Sequence, residues 1–281
     1  MRQRVACLLV IRRRQRIPSG FDGTVADTIR GVKRYNNKVA LLTGVASGIG
    51  RATAQRLAAE GACIFGLDID EEGLAATEAQ ILADGGKMSS RVTDVRSVDE
   101  CHAAARACVE ACGGIDVLGN IAGIANQRHV HQVTEEDWDL MNDVNLKGVF
   151  FLTQAALPHI IEREGNIINI ASNAGLMGQA FTVPYCATKG AVVNMTKALA
   201  MEFVKHPIRV NAIAPGGVET PLVANFKVLE DADYSLMARY TGVRPSSRPE
   251  QIASLFAFLA SDEAGNIHGS IVSADGGLTA E

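Results

Sequence analysis

The sequence predicts an α/β fold, doubly wound around a seven-stranded parallel sheet in a single domain. Three observations carry this. From Lys38 onward, short apolar runs alternate with helix-forming stretches across short loops, the pattern of a parallel sheet covered by crossover helices. Asn37 to Arg51 reads as strand, glycine turn and helix start. Cys63 to Asp68 is a second apolar run, and it ends in an acid.

Val39 to Leu42 is long enough for one buried strand, which Thr43 and Gly44 end. Gly48 and Gly50 follow, then an Ala-rich helix from Arg51 to Glu60. Such glycines let a backbone approach a pyrophosphate, and the helix N-terminus supplies free N–H donors and a positive dipole end. By itself the pattern is equally an ordinary glycine-rich turn. Asp68 shifts that balance. It stands 18 residues after Gly50, near the spacing of a carboxylate that holds an adenosine ribose. Its plainer role is to cap the next helix.

That helix is Glu71 to Ala83, and Ser90 to Asp94 is the third strand. Ser97 and Glu100 form a capping box for a helix running to about Cys112. Ile115 to Gly119 is the fourth strand and leads into Asn120. Thr134 and Asp137 cap another helix, and Asn142 to Ile161 is a long one. Asn166 to Ser172, Arg209 to Ile213 and Ser270 to Ala274 supply strands five to seven. Helices Pro184 to Val204 and Pro249 to Ala260 lie among them. Gly216 to Arg248 is long and irregular, which signals a lid or binding segment.

Composition narrows the function classes. The apolar fraction of 47% is ample for a core, and a net charge of −4 argues against nucleic acid as the main partner. The charge is uneven: residues 1–36 carry +7 and the remainder −11. Val5 to Ile11 is too short to span a membrane, and no A-x-A cleavage site follows Arg12, Arg13, Arg14 and Arg16. Residues 1–36 are therefore expected to be a basic leader outside the core, disordered or the product of a start site placed upstream. Removing residues 1–34 is expected to leave folding and activity intact. The six cysteines form no CxxC pair, and Cys101, Cys108 and Cys112 fall on one helix, so reduced thiols in a cytoplasmic protein are expected. His129 and His131 alternate without a third ligand, and no metal is expected.

Ligands of open parallel sheets bind at the carboxyl ends of the strands. Asp94, Asn120, Ser172 and the Pro215-Gly216 pair all fall there. Tyr185 and Lys189, four apart, share a helix face. A free tyrosine has a pKa of about 10, too high for a base near neutrality. A neighbouring ammonium and a bound cationic nicotinamide would favour the phenolate, and a serine hydroxyl can orient the substrate oxygen. On these residues alone, a surface tyrosine and a solvated lysine are an equally good reading.

Taken together, Asn37 to Gly277 resembles a short-chain dehydrogenase/reductase. The matching features are T-G-x-x-x-G-I-G from Thr43 to Gly50, Asp94, N-x-A-G at Asn120, and Asn145 in V-N-L-K-G. Ser172, Y-x-x-x-K at Tyr185 and Lys189, P-G-x-V-x-T from Pro215 to Thr220 and D-G-G from Asp275 to Gly277 complete the set. Ile121 stands where a second asparagine is usual, and Cys186 and Thr188 replace commoner serines.

The resemblance implies a Rossmann-like fold and a tetrad of Asn145, Ser172, Tyr185 and Lys189. Tyr185 would be the acid/base, and Lys189 would lower its pKa and hold the nicotinamide ribose. Ser172 would hold the substrate oxygen, and Asn145 would anchor a water. Gly44, Ser47, Gly48, Ile49 and Gly50 would line the pyrophosphate. Asp94 and Val95 would meet the adenine. Asn120, with Ala122 and Gly123, would meet the inner ribose. Pro215, Gly216, Val218 and Thr220 would sit at the nicotinamide end. Two plainer roles stay open: Asn120 as a tie between strands, and Thr220 as the cap of a lid helix.

The function expected is reversible hydride transfer between NAD(H) and an alcohol or ketone, in a homo-oligomer such as a tetramer. NAD follows from Asp68, whose carboxylate would oppose the 2′-phosphate of NADP, with Arg51 pointing away. An NADP-dependent carbonyl reductase and a non-catalytic dinucleotide sensor are the alternatives. Ile124 to Val133, Asn173 to Val183 and Val218 to Arg244 would form the substrate pocket. Leu176, Met177, Phe181, Leu222, Phe226 and Met237 make that pocket apolar, which favours a largely apolar secondary alcohol or ketone.

Overall fold

A computed structural model describes residues 33–225, 229–242 and 244–280. Seven strands form one parallel sheet in the order β3-β2-β1-β4-β5-β6-β7. They are β1 Val39–Thr43, β2 Cys63–Asp68, β3 Lys87–Val92, β4 Val117–Asn120, β5 Asn166–Ile170, β6 Arg209–Pro215 and β7 Ile271–Ala274. The main helices are α1 Gly48–Ala59, α2 Glu71–Ala83, α3 Val98–Cys112, α4 Glu135–Asn142, α5 Gly148–Glu162 and α6 Val183–Glu202. Two short helices, α7 Pro221–Ala224 and α8 Tyr234–Met237, precede α9 Pro249–Leu259.

Strand order reverses between β1 and β4, so the connections leave in opposite directions and open a crevice at the strands' carboxyl ends. β1 is buried along its whole length, and its side chains alternate between two apolar layers. Leu42 joins Leu57, Ile252 and Phe256 on one face. Leu41 joins Phe65, Cys108 and Leu152 on the other.

The expected elements are all present, with shifted borders. β3 begins at Lys87 rather than Ser90 and stops two residues short of Asp94. It is an edge strand, so pairing with β2 (Cys63 opposite Lys87, Asp68 opposite Val92) sets its extent without a continuous apolar run. The helix from Asn142 continues α4: a π turn at Asp143–Lys147 joins α4 to α5. Thr134 and Asp137 form the expected capping box. The second expected box is only half made. Ser97 accepts from the Glu100 N–H, but Glu100 Oε2 accepts from the Asp94 N–H at 2.7 Å instead of reaching back to Ser97.

The expected border at residue 36 does not hold for the described residues before it. Residues 1–32 and Phe226 lie outside the described residues. Lys33 to Asn36 belong to the fold: Tyr35 is 1% exposed and donates its hydroxyl to the Ala257 carbonyl. Arg34 grips Glu60 with two bonds, Nε to Oε2 at 2.7 Å and Nη2 to Oε1 at 2.8 Å. The Glu60 side chain is fully buried, and Arg34 and Arg56 hold its carboxyl below the usual range against the opposing effect of burial. Residues 33–36, expected outside the core, therefore pack on it, and a deletion to residue 34 would remove the Arg34–Glu60 pair.

Candidate active site

The crevice begins where β1 turns into α1. Gly44 has φ +72°, and a Cβ there would lie 3.0 Å from the Ala122 backbone. A Cβ on Gly50 would lie 1.9 Å from the Gly44 carbonyl oxygen, so only glycine lets the helix start fold back on the turn. Thr43 Oγ1 accepts from Ile121 N (2.8 Å) and Ala122 N (3.0 Å), tying the β1 turn to the loop after β4. Ser47 caps α1 with no side-chain hydrogen bond, and the first turn carries no acid. A cavity of about 440 Å³ opens in front of that turn. Gly44, Ser47, Gly48, Ile49 and Gly50 line one wall; Asp68, Asp94 and Val95 line another; Ala122 and Gly123 line the floor. A pyrophosphate fits the glycine-turn wall, which offers backbone N–H groups and a dipole end with no acid in the first turn of the helix.

Asp68 closes the outer end. Its Oδ2 accepts from Ala46 N at 2.9 Å and its Oδ1 from Asp70 N at 3.0 Å. The cap of α2 is Asp70, which accepts from Gly73 N at 3.1 Å, so Asp68 is not the cap. Arg51 turns the other way, donating to Thr77 Oγ1 at 2.9 Å and to the Gly73 and Ala46 carbonyls. Arg96, also at the cavity, is forked onto Asp94, whose carboxyl it holds below the ordinary range.

A second cavity, of about 110 Å³, adjoins the first, with Ile49, Ile121, Gly123, Thr220 and Leu222 common to both. Ser172, Tyr185, Lys189, Pro215, Gly216 and Val218 complete it. Lys189 is buried, donates to the Ile170 carbonyl at 2.8 Å, and has its Nζ 5.9 Å from the centre of the Tyr185 ring. Burial lowers Lys189 to about 8. Burial raises Tyr185, and the Ser172 hydroxyl partly offsets this. Ser172 Oγ donates to Asn173 Oδ1 and accepts from Ala174 N, both at 3.1 Å.

A family model described as enoyl-(acyl carrier protein) reductase matches residues 44–279. The chain is 40% identical over 246 residues to a 3-oxoacyl-(acyl-carrier-protein) reductase of Thermotoga maritima, covering 87% of this chain and 99% of that one. It is a short-chain dehydrogenase/reductase. It is also 40% identical to the 2,5-dichloro-2,5-cyclohexadiene-1,4-diol dehydrogenase of Sphingobium indicum, covering 87% of this chain and 97% of the relative. Among solved structures, a short chain dehydrogenase from Mycobacterium paratuberculosis bound to NAD superposes with a TM-score of 0.83 at 32% identity. That match covers 88% of this chain and all of the other.

Two of the expected site residues of this short-chain dehydrogenase/reductase stand behind the cavities. Asn120 is 2% exposed, and its Nδ2 donates to Thr153 Oγ1 (3.0 Å) and Asn169 Oδ1 (2.8 Å). Its side chain ties β4 to β5 and lines neither cavity, because strand alternation at the end of β4 turns it into the α5 layer. Asn145 is fully buried on the π turn and clasps the Ile124 backbone, accepting from its N–H and donating to its carbonyl, both at 2.8 Å. Asn145 Oδ1 and Lys189 Nζ nevertheless converge on Gly123, at 3.1 and 3.4 Å from where its Cβ would stand. Thr220 lines both cavities and also caps α7 through Val223 N.

Sequence reasoning missed the fastenings of the segment over the site. Its two ends are pinned by a bridge between Val218 and Ser247. Tyr240 donates to the Ala180 carbonyl at 3.1 Å, and the buried Gln127 bonds both Tyr240 and the Leu229 N–H. His129 meets Asp231 at 3.0 Å and Phe181 edge-on. No spacing rule links residue 127 to 240, so no local signal marks these pairs.

Proposed function

We propose that this short-chain dehydrogenase/reductase interconverts a largely apolar, cyclic secondary alcohol and its ketone with NAD(H), in a homotetramer. The cytoplasmic setting belongs to the same reading. The observation that carries the coenzyme choice is Asp68, whose carboxylate lines the outer cavity while Arg51 and Arg96 are committed elsewhere. A phosphate on the ribose 2′-oxygen would meet a like charge there; a hydroxyl would donate to it. The NAD in the mycobacterial structure supports the same choice.

When bound, the nicotinamide accepts or supplies the hydride. The chain's own residues do the rest. The glycine turn from Gly44 to Gly50 would hold the pyrophosphate, with Asp94 and Val95 at the base and Ala122 and Gly123 beneath. Pro215, Gly216, Val218 and Thr220 would enclose the inner end. Tyr185 Oη takes the alcohol proton in oxidation and returns it in reduction. Ser172 turns its hydroxyl from Asn173 to the substrate oxygen. Lys189, whose Nζ stands 5.9 Å from the centre of the Tyr185 ring, favours the phenolate, which burial alone disfavours. Asn145 is a positioning residue: it fixes Ile124 and the space beside Lys189 in which a water can pass a proton to solvent. Half-exposed Leu176 and Leu222 offer the substrate an apolar wall.

The 3-oxoacyl relative supports a second reading, reduction of a 3-oxoacyl thioester. Steady-state kinetics with cyclohexanols, a 3-oxoacyl thioester, NAD and NADP separates them. The expected result is NAD preferred by at least about tenfold in kcat/KM, which is ~1.4 kcal/mol. Equal efficiencies or an NADP preference overturn the role of Asp68, and thioester turnover above alcohol turnover overturns the substrate class.

A further inference from the structure

The proposed reaction leaves the cysteines unused. Three of them converge at the end of the sheet opposite the crevice: Cys63 opens β2, Cys112 closes α3, and Cys108 lies one turn before it. The sulfurs of Cys63 and Cys112 stand 3.0 Å apart. Both residues are half-buried and line a cavity of about 620 Å³ that also carries Lys38 and Lys87. Cys108 is fully buried against Gly114. Among the described residues, no group of three His, Cys, Asp or Glu is arranged to hold a metal.

The two accessible sulfurs are unlike. Cys108, one turn away, and Cys63, whose thiol donates to the Cys112 sulfur at 3.0 Å, lower Cys112 below the usual thiol range despite burial. Burial, reinforced by Cys112, pushes Cys63 up to about 12. With Cys63 donating and Cys112 accepting, Cys112 is the sulfur placed to carry the charge and attack, and Cys63 is the protonated thiol in contact with it.

We propose that Cys63 and Cys112 are a peroxide-reactive dithiol that closes to an intramolecular disulfide joining β2 to α3. In the first step Cys112 Sγ attacks a peroxide oxygen. The O–O bond breaks, one water leaves after protonation, and Cys112 becomes a sulfenic acid. In the second, Cys63 Sγ attacks the Cys112 sulfur. The S–S bond forms, the S–O bond breaks, and the hydroxyl leaves as a second water with the proton Cys63 gives up. Two thiols and one hydrogen peroxide yield one disulfide and two waters, the sulfur pair losing two electrons to the peroxide. The link lies about 16 Å from Asp68, five strand residues along β2, so the modification site is separate from the coenzyme cavity.

The test treats the full chain with hydrogen peroxide, alkylates the remaining thiols and maps an unreduced digest by mass spectrometry. The expected product is a Cys63–Cys112 cross-link within one chain, reversed by dithiothreitol. It should form at least about tenfold faster than Cys186, the half-buried reference thiol, is oxidised. Cys63→Ser should leave Cys112 as a sulfenic acid trapped by dimedone, and Cys112→Ser should abolish the reaction at this end of the sheet. A Cys108–Cys112 bridge, a bridge between chains, or oxidation of Cys186 ahead of Cys112 overturns the proposal. The wild-type map decides even where a variant fails to fold.

Discussion

On the nucleotide side of the crevice, β1, the glycine turn and α1 present mostly backbone. On the side proposed for catalysis, β5 and α6 present side chains whose chemistry burial has already altered. The first wall works because nothing projects: a Cβ at Gly50 would overlap the Gly44 carbonyl. The second works because something does project, at a cost. Lys189 is 4% exposed, and burial opposes its charge. Substitutions on the nucleotide side should therefore act through shape and stability together, whereas those on the catalytic side should separate activity from stability.

The largest expected effect is on the catalytic side. Tyr185→Phe keeps the ring and removes the group proposed to move the proton, so kcat should fall ~10²–10⁴-fold. Melting temperature and NAD affinity should stay close to those of the parent. Steady-state kinetics beside a thermal melt checks both, and near-normal turnover would remove Tyr185 from its role.

Gly50→Ala tests the other wall. Its new methyl meets backbone, which cannot swing away, so destabilisation of about 3 kcal/mol or more is expected, with NAD binding lost in parallel. A folded variant of unchanged NAD affinity, measured by calorimetry, would show that the helix start can shift.

Behind that wall, α1 is followed by Glu60, and the truncation series sharpens its account. Removing residues 1–32 should leave urea unfolding unchanged. Removing residue 34 as well deprives the buried Glu60 of a charged partner, worth about 1.5–3 kcal/mol. Identical midpoints for the two truncations would show that Arg56 alone suffices.

The smallest effect has the opposite sign. Lys189 is lowered to about 8 in the fold from an ordinary 10.5, so between those values the unfolded chain binds the extra proton. Stability from this group is thus lowest below pH 8 and rises through pH 8–10.5. Lys189→Met should remove that dependence and raise stability at pH 7 by about 1–2 kcal/mol, after loss of the bond to Ile170. Turnover should collapse in the same variant. Urea unfolding at pH 7 and pH 10 is the check, and a destabilised Met variant would mean that the ammonium is better accommodated than its burial implies.

The sheet, its helices and the nucleotide wall were legible in the chain because their causes are local. An apolar run of strand length, a turn that excludes side chains and an acid at a strand end each act within a few residues of where they stand. Thr43 to Gly50 and Asp68 could be read that way, and so could the shared face of Tyr185 and Lys189. Other features had no such signal. Asn120 fits the motif as a ligand contact, but the direction of its side chain depends on Thr153 and Asn169, two elements away. The extent of β3 depends on β2, the packing of Arg34 and Tyr35 on Glu60 and Ala257, and the fastening of the segment after β6 on Gln127 and Tyr240. Residue types and spacing determined by themselves which fold this chain adopts and which groups lie at its crevice. Which of those groups face a ligand, how far burial shifts their charge, and which distant cysteines touch were decided only by tertiary packing. Side-chain direction and desolvation are set by neighbours remote in sequence.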